Sequence, residues 1–166
     1  MRAGLNDHCL MTRRDPVNPT DDDARTLARA LIAGADFGAL AVMAADGPAP
    51  LVSRVAVTAV GGVPHLLVSG LSVHTAALKA NPACSILLGE PGGKGDPLTH
   101  PRLTYVAEAV PADKAALRDA WLARHPKAKL YYDFGDFELL RLEPLAGLLN
   151  GGFGKAYRLT PGDMTG

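Results

Sequence analysis

Absences narrow this sequence first. It holds only two cysteines, Cys9 and Cys84, and no CxxC pair, so no disulfide framework can be argued. Cys84 lies in an apolar run and reads as a small core residue. Aromatics make up only 5% of the chain, which leaves Ala, Leu and Val to fill a core. No apolar run approaches the roughly 20 residues that span a bilayer. The opening stretch MRAGLNDHCLMTRRDP lacks the apolar h-region of a secretory signal. The expectation is a cytoplasmic protein with no membrane partner. A charge surplus is missing too: 17 basic residues balance 17 acidic ones. That argues against a nucleic-acid partner held through its phosphates, and it is compatible with self-association.

Familiar catalytic motifs are also missing. There is no GxSxG elbow and no HExxH. His8, His65, His74, His100 and His125 are scattered without metal-ligand spacing, so no metal site is expected. Gly89 to Gly95 only evokes a phosphate loop. Its spacer is one residue short, Lys94 is followed by Gly rather than Ser or Thr, and no helix is expected after it.

What is present fits one domain of 166 residues. Residues Met1 to Thr20, broken by Pro16 and Pro19, read as an arm that dangles or packs on a partner, ahead of one domain over 21–166. Thr20 to Asp23 supplies a helix cap and first-turn acids. Leu27, Ala28, Leu31 and Ile32 follow at helical spacing, and Gly34 stops the helix. Strands are expected over Phe37–Ala44, Leu51–Val60 and Pro64–Ser69, with Gly61-Gly62 as a hairpin turn. Ser72 to Pro82 predicts a short helix. Cys84–Gly89 and Arg102–Val110 read as strands around an exposed Gly- and Pro-rich loop. Ala112–His125 gives the clearest helical pattern, with Ala116, Leu117, Ala120 and Trp121 as its apolar stripe. A helical turn over Lys127–Tyr132, strands over Phe137–Leu142 and Gly154–Leu159, and a loop over Leu148–Phe153 complete the reading. About seven strands with short connections predict a small closed β-barrel with flanking helices.

Four segments carry candidate chemistry. At Ser69-Gly70-Leu71-Ser72-Val73-His74-Thr75 a strand runs into a helix start, where N–H groups, hydroxyls and the helix dipole favour an anion. An ordinary capped helix explains the same residues, and on spacing alone it is the commoner outcome. Ser53-Arg54-Val55 sets an Arg in an apolar strand, with Ser53 and Arg54 on opposite faces. Arg102 enters a strand after a long loop. Asn150-Gly151-Gly152-Phe153-Gly154 puts glycines around one aromatic, as a tight turn or a close approach to something flat would need.

Taken in order, LVSRVAV (Leu51 to Val57), SGLSVHTAALKANP (Ser69 to Pro82), GDPLTHPRLT (Gly95 to Thr104), RHPKAKLYYDFGDFELLRLEP (Arg124 to Pro144) and NGGFGKA (Asn150 to Ala156) resemble a known family. It is the FMN-binding split-barrel superfamily related to pyridoxamine 5'-phosphate oxidase, and within it the haem-utilisation branch. The resemblance spans roughly residues 24–160. It implies a mainly β split barrel that dimerises, with flavin mononucleotide (FMN) between subunits and a small-molecule substrate. It implies that Ser53, Arg54 and Val55 lie along the flavin and its ribityl chain. Ser69, Leu71, His74 and Thr75 would hold the phosphate. Arg102 would come from a neighbouring strand of the same chain or across the dimer, and Asn150 and Phe153 would pack near the ring edge.

Departures from the family pattern bear on activity. Val73-His74-Thr75 stands where the oxidase has a Ser-Arg-Lys run. The C-terminal Arg-x-His pattern for pyridoxal phosphate is absent, and no His follows His125. The resulting expectation is an FMN-dependent oxidoreductase with unassigned catalytic residues. The alternatives are a haem-binding protein on the same barrel or a non-catalytic flavin sensor.

Overall fold

A computed structural model describes residues 16–166. The Val- and Thr-rich segments fold as the period-two pattern dictates. Strands β1 (Val17–Asn18), β2 (Phe37–Met43), β3 (Pro50–Val60), β4 (Val63–Ser69), β5 (Ala83–Leu88), β6 (Arg102–Pro111), β7 (Phe137–Asn150) and β8 (Ala156–Leu159) join in the order β1-β8-β7-β4-β3-β2-β5-β6. A second pairing of β6 with β7 closes six of them into an antiparallel barrel. Closure removes the unpaired edges that an open sheet would expose. Strand β8 adds to β7 outside the ring, and β1 adds to β8 in parallel.

Alternation decides which side chains fill the barrel. Leu40, Ile86, Leu103 and Tyr105 point inward and are fully buried. The Tyr105 hydroxyl donates to the Leu142 carbonyl at 3.1 Å, and burial pushes its pKa up. Cys84 is buried, and desolvation raises its thiol to about 11, which keeps it inert. The Gly61-Gly62 turn between β3 and β4 has φ +58° and +76°, the left-handed pair that a two-residue hairpin demands.

Helix α1 (Asp22–Gly34) starts where its acids predict. Asp21 is the cap, its carboxylate accepting from the Ala24 N–H at 2.8 Å. Helix α2 (Val73–Ala80) connects β4 to β5.

Other expectations need correction. The supposed clearest helix shrinks to α3 (Arg118–Arg124), and Ala116 and Ala120 of its stripe are exposed. Tertiary bonds claim the residues before it. Asp113 accepts from the Ala116 N–H, Tyr132 donates to the Lys114 carbonyl, and the Lys114 ammonium donates to the Phe134 and Phe137 carbonyls. Trp121, Ala128, Tyr132 and Leu139 then form a small second core against Ala56 and Leu67, covering the outer side of β3, β4 and β7.

Strand β7 runs eight residues beyond Leu142, so Leu148, Leu149 and Asn150 are strand rather than loop. It passes Pro144 through a bulge that leaves Leu145 unpaired between Pro144 and Ala146. A bulge tolerates the missing proline N–H. A fourth helix, α4 (Pro161–Thr165), was not expected; Thr160 and Asp163 close a capping box on it. Desolvation is outweighed there: the Thr160 hydroxyl and N–H, then the Arg25 guanidinium, hold the Asp163 carboxyl at about 2. Finally, the sheet begins inside the supposed arm. Val17 and Asn18 pair with Ala156 and Tyr157 of the same chain, and the Thr20 hydroxyl donates to the Arg158 carbonyl. The rest of that arm, with His8 and Cys9, lies outside the described residues.

Candidate functional site

The corner between β4 and α2 is built by hydrogen bonds of its own. Ser69 donates its hydroxyl to the Asp136 carboxylate at 3.0 Å and accepts the Leu71 N–H at 3.2 Å. Thr75, only 1% exposed, donates its hydroxyl to the Ser69 carbonyl at 2.6 Å. The Gly70 N–H donates to the Asp136 carbonyl at 2.6 Å. Val73 and His74 supply the N–H groups that open the helix. A flavin phosphate does not fit here at Ser69 and Thr75. Both hydroxyl protons already have protein acceptors, and a carboxylate stands where a dianion would dock. His74 is half-buried, and desolvation lowers its pKa, so the neutral ring prevails at pH 7. Leu71, beside it, is 89% exposed.

His74 differs from the other described histidines. His65 is buried, with Nδ1 against the Val63 carbonyl, and its pKa is lowered chiefly by desolvation. His100 accepts the Gly92 N–H at Nδ1 and meets the Lys94 carbonyl at Nε2, which pins the Gly-rich loop. His125 meets the Val57 carbonyl at 2.8 Å and stacks on Trp121. Among the described residues, no group of three or more His, Cys, Asp or Glu side chains could hold a metal ion.

Arg102, Asn150 and Phe153 gather at the other end of the barrel. Ser69 pairs with Phe137 at the start of β7, and Arg102 pairs with Asn150 at its end. Residues 137 and 150 lie roughly 40 Å apart along an extended strand. One chain therefore does not bring the corner and Arg102 together. Arg102 is aimed by its own loop: one Nη donates to the Leu98 carbonyl at 2.8 Å and reaches the His100 carbonyl at 3.4 Å. Asn150 accepts the Gly152 N–H, shaping a turn that leaves Phe153 98% exposed.

On β3, Ser53 and Val55 face the interior side and Arg54 faces out, as alternation requires. The side chain of Val55 is in the core, so only its backbone can meet a ligand. The Arg54 guanidinium lies over the Phe37 ring, 5.4 Å from its centroid. Cross-strand register places Arg54, Ala39, Leu87, Thr104, Leu148 and Arg158 in one outward row. Val52, Ala41, Ser85, Val106 and Ala146 form the next. Val52 is 69% exposed and Leu148 51%. The second core covers the opposite flank, so among the described residues nothing covers this apolar sheet face. Around Arg102, Thr104, Leu148, Asn150 and Arg158 it deepens into a groove of about 320 Å³. Sequence reasoning missed Arg158, Leu148 and Asp136. Alternation in KAYRL could have put Arg158 outward; nothing local could have brought Asp136 to Ser69, 67 residues away.

Comparison with known proteins follows the same lines. No family model matches the chain. One solved structure is 44% identical; it covers 87% of this chain, is itself covered over 97%, and superposes with a TM-score of 0.82. A heme binding protein from Mycobacterium smegmatis is 30% identical, with 90% of this chain and 61% of that one covered and a TM-score of 0.79. The chloroplastic non-canonical heme oxygenase HOZ of Arabidopsis thaliana is 48% identical over 88 residues, which are 50% of this chain and 26% of that protein. The chain thus spans about a quarter of that curated relative and under two thirds of the mycobacterial protein. A Clostridium acetobutylicum protein of the pyridoxinephosphate oxidase family shares the fold at 13% identity, with 87% of this chain and 99% of that one covered and a TM-score of 0.68. The chain thus has the split-barrel fold found in the pyridoxinephosphate oxidase family, and its named relatives at 30% identity or more are a heme binding protein and a heme oxygenase.

Proposed function

We propose that this chain binds haem on the bare face of its barrel, between the two copies of a homodimer, and serves haem utilisation. The observation that carries the reading is the Arg102–Arg158 groove. Haem is a flat apolar macrocycle with two carboxylates along one edge. The groove offers two guanidiniums, the Thr104 hydroxyl and the exposed Leu148 at the border of an apolar sheet. Arg158 has no carboxylate partner among the described residues, so its charge is available. The relatives whose names specify haem support the same ligand.

Dimerisation supplies what one chain lacks. A two-fold interface uses the same patch on both copies, and the rows around Val52 and Leu87 provide an apolar one. In this reading the α2 corner of one copy meets the Arg102 groove of the other. His74, the described imidazole without a hydrogen-bond partner, is then the side chain available to the iron. Asp136 at that corner suits a cationic centre. Bound haem would supply redox chemistry; this chain's residues would bind and orient it and exclude water from one face.

An FMN-dependent oxidoreductase is the second reading. The same flat face would accept an isoalloxazine ring, but at the corner the Ser69 and Thr75 hydroxyl protons are already engaged and a carboxylate stands beside them, which leaves its phosphate only the Ser72 hydroxyl and the first N–H groups of α2. Titration of the purified protein with haemin tests the proposal. A Soret band saturating at one haem per chain is expected. Free-haemin absorbance throughout would end the haem reading.

A further inference from the structure

We infer that Asp136 excludes phosphate-bearing flavins from the corner at the start of α2, and so sets the class of ligand this barrel accepts. Three contacts carry the inference. The Asp136 carboxylate takes the Ser69 hydroxyl proton at 3.0 Å. Its carbonyl takes the Gly70 N–H at 2.6 Å. The Ser69 Oγ, its proton directed at Asp136, accepts the Leu71 N–H through a lone pair, which ties up a third donor. Thr75 is held by the Ser69 carbonyl. Four donors of this corner thus serve the protein itself, and what remains for an anion is the Ser72 hydroxyl with the Val73 and His74 N–H groups at the start of α2.

Charge adds to this. A phosphomonoester carries about −1.5 to −2 at pH 7. An oxygen within reach of Ser69 Oγ would place that charge about 6 Å from the carboxylate, a repulsion of roughly tenfold in affinity even at water-like dielectric. Neither lysine that bonds this stretch of chain makes an ion pair with Asp136 among the described residues. Lys79 is paired with Glu138, and Lys114 donates to the Phe134 and Phe137 carbonyls. Register explains why the carboxylate is fixed there: Ser69 pairs with Phe137, so the residue before β7 lies beside the residue after β4. The inference does not rest on the haem reading, because it concerns which flavin the corner rejects.

The test compares FMN with riboflavin, which has the same ring and ribityl chain without phosphate. Each is titrated into the full chain by flavin fluorescence. The wild type is expected to bind FMN no more tightly than riboflavin. Asp136→Asn keeps a side-chain acceptor for the Ser69 hydroxyl and loses the charge; it should improve FMN affinity about tenfold and leave riboflavin unchanged. Asp136→Ser is the second variant, and both are checked for folding by near-UV circular dichroism. A wild type that prefers FMN by tenfold would overturn the inference. So would folded variants with an unchanged FMN-to-riboflavin ratio, including variants that bind neither flavin. No haem enters this experiment, so its outcome is separate from that of the haemin titration.

Discussion

Removing the two groove arginines is the perturbation whose size the structure best constrains. Arg102 is half-buried and already oriented by the Leu98 and His100 carbonyls through one Nη. It loses little freedom on meeting a propionate, and a charge-assisted hydrogen bond in that setting contributes about 1.5 kcal/mol, so Arg102→Ala should weaken haem about tenfold. Arg158 is exposed and has no side-chain partner among the described residues. It must be ordered on binding, so Arg158→Ala should cost only about two- to threefold, as exposed ion pairs do. If each arginine meets a different carboxylate, the losses multiply to about thirtyfold in the double variant. Salt separates the two: raising it from 0.15 M to 1 M should erase most of the Arg158 effect and leave most of that of Arg102. The assay is Soret titration of the wild type, both single variants and the double variant. Haem dimethyl ester, which lacks the carboxylates, is the control and should bind all four alike. A double variant within twofold of the wild type would refute the groove as the propionate site. An equal loss with the ester would refute the electrostatic origin.

Other outcomes follow from the same coordinates. Val52→Lys puts a charge in the proposed dimer face; light scattering should report a dimer for the wild type and a monomer for the variant, and an unchanged mass would remove this face from the interface. Thr58 is buried with an unpaired hydroxyl, so Thr58→Val should stabilise by about 1 kcal/mol and raise the melting temperature about 2–4 °C; a fall would mean the hydroxyl has a partner such as a bound water. Asp163→Asn breaks the α4 capping box and its bond to Arg25, costing about 1 kcal/mol at pH 7. Because the folded carboxyl is held at about 2, below its ordinary 3.8, this stabilisation is complete above pH 4 and lost as pH falls towards 2. Melting curves of wild type and variant should therefore converge over that window; a constant gap would contradict the assigned shift.

The barrel was legible because its signals are local. The apolar run FGALAVM and the loose alternation of LVSRVAVTAV marked two strands, and Gly61-Gly62 set the hairpin. Alternation also put Ser53 and Arg54 on opposite faces; which of them faces out is set by the barrel. Failures arose where distant groups override local pattern. The helix expected from Ala112 is unwound at its start because Tyr132, Phe134 and Phe137 supply partners to Lys114. Strand β7 was cut short at Pro144, since a proline speaks against a central strand until a bulge is known. Helix α4 had a readable signature in Thr160-Pro161-Gly162-Asp163 that went unread. The Ser69–Thr75 corner was legible as a strand-to-helix junction. Its charge was not, because Asp136 arrives through sheet register from the far side of the chain.

Competition between the two candidate ligands tests the central claim most directly. Purified protein is offered haemin and FMN together in equal amounts, dialysed, and its absorption spectrum recorded. Retention of a Soret band near one haem per chain, with flavin bands gone, is the predicted result. Retained flavin bands without a Soret band would contradict the account.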